Sequence, residues 1–434
     1  MKRWILCLPL ILLLACNREE GLVWFSAQKA GDYFRKIETA CNSDSGKLWG
    51  ENLYGPVMFV NGKTRAIYTN VADRENILKA REGMIYTGVL PRERLITNNV
   101  IEFGGVRYAM APLPEEEDSV RITMRAIHSL FHCFQERHDL KPSTFSTRHM
   151  NEANARLLLK LEWKALTNAI QSSGDARLQA IRDALIFRGA RRELLPDAVT
   201  DENKFENYEG LTTFTYMKLG TAGDDELKTR LLDYLERIYS NSSYASGYGF
   251  VHGALYAYLL NEREFDFKQI LASDFDLGTA TATAYSVILP ELCRDVAGSL
   301  ALNYDLPSIR AEEVEREKMI TEQTRKIVTT FTEKPVLIVQ MESPNFSFEP
   351  EDINSLDTLG ILYMKLRVSD NWGKLTVDDG GALLTNDLGT LRVSAREVQM
   401  ERNHVIGTGW HLVLNDGWHS EKDGDNFIIR KQLP

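Results

Sequence analysis

The chain contains 434 residues, of which 44% are hydrophobic and 26% are charged. This composition excludes an intrinsically disordered chain and allows a large core with more than one domain. The formal net charge is −10, and this acidic balance argues against nucleic acid as a partner. The sequence has no repeat with a period of about 20 to 50 residues, which excludes a solenoid or a propeller.

Residues 1–15 predict a lipoprotein signal peptide. Lys2 and Arg3 precede the apolar stretch WILCLPLILLLAC, which is too short to span a membrane comfortably. The residues from Leu13 to Cys16 resemble the lipobox of bacterial lipoproteins. The resemblance implies cleavage before Cys16 and attachment of membrane lipid to its thiol. The protein would then lie on a membrane surface of the bacterial cell envelope, on the periplasmic or extracellular face. The alternative is an ordinary secretory signal with a chance cysteine.

Four cysteines would remain after removal of this signal: Cys16, Cys41, Cys133 and Cys293. If Cys16 is acylated, three are left, so at most one disulfide can form, and the sequence does not identify the pair. No two cysteines are separated by only two residues, which argues against a cysteine-based zinc knuckle.

The patterning predicts an α+β fold that begins with a small N-terminal α/β subdomain. Residues 22–42 predict a helix with a mixed apolar face. Residues 43–114 predict a mainly antiparallel sheet, because an Asn-Gly pair at 61–62 and a Gly-Gly pair at 104–105 each join two strand-like runs. We therefore expect an N-terminal sheet subdomain over residues 16–115.

A helical subdomain is predicted over residues 116–332, followed by a β-domain over residues 333–434. The acids of PEEEDS suit the positive end of a helix dipole and predict a helix over about residues 116–137. Further helical segments follow, including one predicted uninterrupted helix over TATAYSVILPELCRDVAGSLA. After Pro335, short apolar segments separated by Gly, Asp and Asn predict antiparallel strands.

A pair of histidines within RAIHSLFHCFQERHD is the most informative local feature. His128 and His132 are four residues apart, so they share one face of the predicted helix. This is the spacing of the zinc-binding HExxH helix, but Ser129 stands where that motif has glutamate. A catalytic zinc needs three protein ligands and one open position, and this pair would supply two of the ligands. From spacing alone, two histidines that simply contact their neighbours remain the alternative.

A second segment, ENYEGLTTFT at residues 206–215, resembles the EGLAxY segment of gluzincin metallopeptidases of the Peptidase MA-like type. Further segments resemble a bacterial family of secreted HExxH proteins: CNSDSGKLWGENLYGP, GVLP, APLP, FHCFQ, LEWKAL, DALIFRGARREL and LRVSDNWGKL. The resemblance covers most of residues 41–420. It implies a zincin-like fold, Zn²⁺ as cofactor, and zinc ligands at His128, His132 and Glu209. Gln135 matches the family's trailing glutamine. Glu206, one turn before Glu209, stays an alternative ligand.

Two departures from the family pattern bear on activity. The family's general base is a glutamate, and Ser129 occupies its position; loss of such a base lowers the rate by roughly 10²–10⁴. Thr212 and Thr213 stand where the family often has an acid that orients a ligand. His252 and Tyr256 share a helix face and are candidates for stabilising a tetrahedral oxyanion. For these two residues, the alternative to a catalytic role is an amphipathic helix with a buried tyrosine. Glu162 is a further candidate site residue, for which the alternative is a structural salt bridge.

Three functional hypotheses follow. The preferred one is a membrane-anchored lipoprotein that resembles a zinc metallopeptidase and still binds zinc, but is an inactive or impaired pseudopeptidase with a peptide or protein as its ligand. The second is an active hydrolase in which Glu136 or Glu206 replaces the missing base. The third is a non-enzymatic surface lipoprotein whose β-domain, residues 334–434, binds protein or glycan.

Overall fold

The computed structural model describes residues 25–114, 116–241, 243–333, 335–348 and 353–432. Over these residues the fold is α+β, as the sequence predicts, and it contains eleven α-helices and three mostly antiparallel sheets. The predicted signal peptide and Cys16 lie outside the described residues. Within the described part of the chain, no helix combines the length and apolarity needed to cross a bilayer.

The N-terminal sheet has six strands in the order β3-β4-β2-β1-β6-β5. Both predicted hairpins are confirmed. Strands β1 and β2 pair across the Asn-Gly turn, and the β5–β6 turn is formed by Gly104 and Gly105, whose positive φ angles of 54° and 73° suit glycine. Strand β6 also pairs with β1 in parallel. The strands are Val57–Val60, Ala66–Thr69, Lys79–Arg81, Ile85–Val89, Val100–Phe103 and Val106–Pro112.

Two helices cover one face of this sheet. Helix α1, Ala27–Asp44, begins after Ser26, whose hydroxyl accepts a hydrogen bond from the Lys29 amide at 3.3 Å. Helix α2, Ser119–Arg137, begins three residues later than the sequence predicts, because the Asp118 carboxylate caps it. The buried faces of both helices and one face of the sheet belong to a single apolar core.

The central region consists of helices that continue this core. The segment predicted as one helix from TATAYSVILPELCRDVAGSLA is instead two helices, α9 and α10, with an irregular connection through Pro290. Proline lacks the amide hydrogen that a helix interior requires. The remaining helices are α3 Ala153–Gln171, α4 Gly174–Leu194, α5 Val199–Phe205, α6 Leu211–Gly220, α7 Asp224–Tyr239, α8 Tyr248–Glu262, α9 Leu277–Ala284, α10 Cys293–Leu300 and α11 Leu306–Thr332.

The β-domain follows α11 and contains a seven-stranded and a six-stranded sheet. Side chains of both sheets, among them Leu391 and Leu375, share one apolar core around the fully buried Trp372. Strand order is β18-β19-β7-β14-β13-β10-β9 in the first sheet and β15-β16-β17-β12-β11-β8 in the second. The strands are Val336–Gln340, Asn345–Ser347, Ile353–Ser355, Ile361–Tyr363, Leu366–Asp370, Gly373–Val377, Ala382–Leu384, Thr390–Ser394, Gln399–Glu401, His404–Gly407, Trp410–Leu414, Trp418–Asp423 and Asn426–Lys431, β7 to β19 in order.

Candidate metal centre

Helix α2 brings the two histidines of the sequence motif together. The helix lies between strand β6 and helix α6. The Nε2 atoms of His128 and His132 are 3.0 Å apart, and the two rings are nearly perpendicular, with an interplanar angle of 86°. His132 is only 1% exposed. Both imidazoles therefore direct a nitrogen toward one shared position.

Glu209 approaches that position from a π-helical turn, Glu206–Gly210, between α5 and α6. A π-helical turn inserts an extra residue, which changes the direction of the side chains that follow. The turn sits tightly against α8, since a Cβ atom on Gly210 would lie 2.5 Å from the Cα atom of Gly253. Glu209 Oε2 is 3.7 Å from His132 Nε2, and the ligand atoms of the three residues all lie within 4.8 Å of one another.

The two imidazoles have the protonation state that a cation at this position requires, whereas the Glu209 carboxyl would lose a proton to bind one. Burial lowers the pKa of His132 to about 4. Burial, together with the nearby His132, also lowers the pKa of His128 well below its usual value. Both rings are therefore neutral near pH 7, so the 3.7 Å contact between His132 and Glu209 is not an ion pair. Burial raises the pKa of Glu209 to about 8, and no described residue donates a hydrogen bond to its Oε2 atom. Two neutral imidazoles and a buried carboxyl that lacks a partner fit Zn²⁺.

Gln135 fixes the orientation of His132 and connects it to the turn that carries Glu209. Its Oε1 atom lies 2.8 Å from His132 Nδ1. Its amide nitrogen donates to the main-chain oxygens of Asn207 and Tyr208 at 3.1 and 3.0 Å. Because Oε1 can only accept, His132 carries its hydrogen on Nδ1 and leaves Nε2 as a lone-pair donor. Such a partner is typical of metal-binding histidines.

Two further side chains complete the surroundings of His132, and the sequence did not single out their roles. The ring of Tyr208 stacks on the imidazole with centroids 4.5 Å apart. The hydroxyl of Thr212 lies 3.4 Å from Gln135 Oε1. Tyr208 immediately precedes Glu209 in the motif, so its proximity to the site could have been anticipated, whereas the ring stacking could not.

Ser129 is fully buried, and its hydroxyl is committed to the fold. It donates to the main-chain oxygen of Met110 on β6 at 2.8 Å, and Asn98 Oδ1 lies 3.4 Å away. The alternative general bases are also engaged. Glu136 forms ion pairs with Arg107 and Lys141, and these partners leave its pKa low despite burial. Within the described residues, neither Ser129 nor Glu136 presents a free basic group.

His252 and Tyr256 lie in a separate buried polar cluster. The Tyr256 hydroxyl donates to Glu162 Oε1 at 2.6 Å. His252 Nε2 lies 3.0 Å from the same oxygen, and 3.0 Å from Arg188 Nη1. All of these side chains are buried. The polar atoms of this cluster contact each other, and the candidate metal ligands His128, His132 and Glu209 form a different group. A role of His252 and Tyr256 in binding an oxyanion stays a prediction.

Glu206 also belongs to this second cluster. Arg188 donates to both of its carboxylate oxygens, at 2.9 and 2.6 Å. This contact favours Glu209 over Glu206 as the third ligand. Glu162 accepts from Arg191 at 2.8 Å, which is the salt bridge considered as the alternative for that residue.

Comparisons with known proteins do not identify a family for this chain. No protein-family model matches the chain, and no curated protein or solved structure matches it. The gluzincin resemblance therefore stays a prediction that depends on the quoted motifs. The geometry of His128, His132 and Glu209 is an independent observation.

Proposed function

We propose that the protein is a membrane-anchored lipoprotein with a zincin-like helical region that binds one zinc ion and is an inactive or impaired peptidase. The observation that carries this proposal is the convergence of His128, His132 and Glu209, whose ligand atoms lie within 4.8 Å of one another. The buried Glu209 carboxyl, with an oxygen that no described donor reaches, supports it. The lipid anchor rests on the lipobox at Cys16.

The three ligand side chains would hold Zn²⁺, and Gln135 would keep the His132 ring in its binding orientation. When bound, zinc supplies a Lewis acid that polarises a carbonyl and makes water more acidic. Among the described residues, Ser129 occupies the position of the matching proton acceptor, and Glu136 is held in ion pairs. Ser129 is too weak a base at neutral pH, and its hydroxyl already donates to the Met110 carbonyl. Peptide hydrolysis is therefore expected to be slow or absent.

Elemental analysis of the purified protein tests the metal-binding part. We expect about one zinc per chain in the wild type and almost none in His128→Ala. The matched control is His138→Ala, because His138 lies at the end of the same helix and its side chain is 47% exposed. Equal zinc in all three proteins, or none in the wild type, would contradict the proposed site.

A peptide-cleavage assay tests the activity part. We expect the zinc-loaded protein to cleave a mixed peptide library at least about 10²-fold more slowly than a zinc peptidase that has its general base. Rapid cleavage that a chelator abolishes would show that the enzyme is active, and would leave the metal site itself intact.

A further inference from the structure

The turn between β1 and β2 is bound to the loop that follows β4. Arg65, at the end of that turn, donates from Nε and Nη2 to the main-chain oxygens of Leu90 and Pro91, at 2.9 and 2.7 Å. The same loop carries Arg92 and Arg94, whose side chains are exposed. Three arginines from two parts of the sequence therefore lie close together at one end of the N-terminal sheet.

This loop also contacts the six-stranded sheet of the β-domain. The side-chain amide of Asn345 on β8 donates to the main-chain oxygen of Glu93. Asn345 lies opposite Ser369 on β11, and Ser369 lies opposite Lys374 on β12. Two strand spacings place Lys374 about 10 Å from the contact. Arg367 is on the same face of β11 as Ser369, because residues two apart on a strand share a face.

Five cationic residues thus surround the junction, and we call them the basic face: Arg65, Arg92, Arg94, Arg367 and Lys374. Among the described residues, none of the five has a carboxylate oxygen within 4.0 Å. Burial lowers the pKa of Lys374, and the positive charges of neighbouring arginines in this set lower it further. Glu93 is the acid within this loop. A concentration of unpaired positive charge on a chain of net charge −10 indicates an anionic partner.

We propose that the basic face binds the phosphate headgroups of anionic lipids in the membrane that carries the lipid anchor. The choice of a lipid surface rests on the proposed anchor at Cys16, and the length of chain before the fold supports it. Eight residues separate Cys16 from Phe25, and the nine Cα-to-Cα steps span at most about 30 Å. The ring of Phe25 contacts Tyr68 on β2 with centroids 5.1 Å apart. Tyr68 is three residues from Arg65, so Phe25, where the described chain begins, lies near the basic face.

Vesicle flotation tests the inference. The protein used is the chain from residue 17 onward, which has no acyl group and contains every described element. Vesicles of pure phosphatidylcholine are compared with vesicles containing about one third phosphatidylglycerol, at low and high salt. We expect binding to the anionic vesicles alone, lost at high salt. The double variant Arg367→Glu with Lys374→Glu should bind at least about tenfold more weakly, because each cation near an anionic surface contributes several-fold.

The matched control is Lys422→Glu with Lys431→Glu, which changes the net charge equally. These two lysines are exposed residues of the same domain and lie in the other sheet. Near-ultraviolet circular dichroism verifies that both variants are folded. Equal weakening in the two variants would overturn the proposal, because net charge alone would then explain it.

Three other outcomes would also overturn it. The first is failure of the wild type to bind anionic vesicles, and the second is equal binding to neutral ones. The third is retention on immobilised heparin without vesicle binding, which would indicate a soluble polyanion as the partner. The assay requires neither zinc nor acylation. Its failure is therefore distinguishable from failure of the proposed metal site, which metal content reports separately.

Discussion

His132 Nδ1 lies 2.8 Å from Gln135 Oε1, and the same glutamine donates its amide to two main-chain oxygens of the turn that carries Glu209. One side chain thus fixes the tautomer of a candidate ligand and also the position of the turn that carries another. Helix α2 and the π-helical turn come from segments about seventy residues apart. The glutamine is the direct polar connection between these two parts of the site.

Replacing Gln135 should weaken metal binding without abolishing the site. We expect Gln135→Ala to lower zinc affinity by roughly 10–100-fold, since loss of a partner that orients a ligand has effects of this size. Competition with a chromogenic chelator measures the dissociation constant. The control is Gln179→Ala, because Gln179 is exposed and bonds to Asp183 in α4. An unchanged affinity in Gln135→Ala would show that His132 is oriented without it.

Glu209 and Glu206 lie one turn apart and should respond differently to loss of charge. Glu209→Gln should abolish stoichiometric zinc binding but leave the metal-free protein at least as stable, because no described donor reaches Glu209 Oε2. Glu206→Gln should retain zinc but destabilise the protein by roughly 1–3 kcal/mol, because it weakens two charged hydrogen bonds from the buried Arg188, which keeps Glu162 and Asp276 nearby.

Guanidinium unfolding in the presence of a chelator, together with metal analysis, separates the two effects. The reverse pattern, with zinc lost only in Glu206→Gln, would make Glu206 the ligand.

Ser129 is expected to be a structural residue. Ser129→Ala should reduce the free energy of unfolding by about 1 kcal/mol, because it removes one buried hydrogen bond to Met110. Zinc content and any residual peptide cleavage should not change. If cleavage by the wild type is measurable and disappears in Ser129→Ala, the hydroxyl is part of a working site.

The variant Ser129→Glu tests the peptidase ancestry directly. Activity that is present only in this variant would indicate a site that lost its base. The serine is 0% exposed, so a larger acidic side chain is expected to lower stability by about 1–3 kcal/mol. Unfolding curves are therefore needed beside the activity assay. A folded, zinc-loaded Ser129→Glu protein without activity would count against the ancestry.

Acid should destabilise the helical region through its buried carboxylates. Burial raises the pKa of Glu206 and of Asp276, but Arg188 and neighbouring donors outweigh burial and leave both values below the usual carboxyl range. As the pH falls through about 4.5, the unfolded chain takes up protons before the folded one does. The stabilisation is therefore fully present above about pH 5 and is lost below it.

Guanidinium unfolding at several values between about pH 7 and pH 3 measures this dependence. The variant Arg188→Met should show a shallower acid dependence, because its carboxylates have lost the partner that lowers their pKa. If the free energy of unfolding falls equally with pH in wild type and variant, other groups cause the acid sensitivity.

The sequence was most informative where the determinants are local. The turns at Asn61-Gly62 and Gly104-Gly105 predicted two hairpins because the conformation depends on those residues themselves. The spacing of His128 and His132 likewise predicted two side chains on one face, since a helix fixes the direction of residues four apart. The predicted helix through Pro290 was wrong, although the proline was a local signal against it.

Relationships between distant segments could not be predicted in this way. The parallel pairing of β1 with β6 joins strands about fifty residues apart. Charged side chains are usually exposed, yet Arg188 is buried and three other segments of the chain enclose it. The residues of the basic face are distributed from Arg65 to Lys374, so they form no basic run in the sequence. The negative net charge of the chain gives no indication of them.

X-ray absorption at the zinc edge tests the central claim most directly, because it reports the atoms around the metal. For the zinc-loaded wild type, we predict two imidazole nitrogens at about 2.0–2.1 Å and carboxylate oxygen at about 2.0–2.2 Å. Because His128→Ala should hold almost no zinc, its spectrum should lose the imidazole signal. A spectrum dominated by sulfur or by water oxygen, unchanged in His128→Ala, would contradict a site formed by His128, His132 and Glu209.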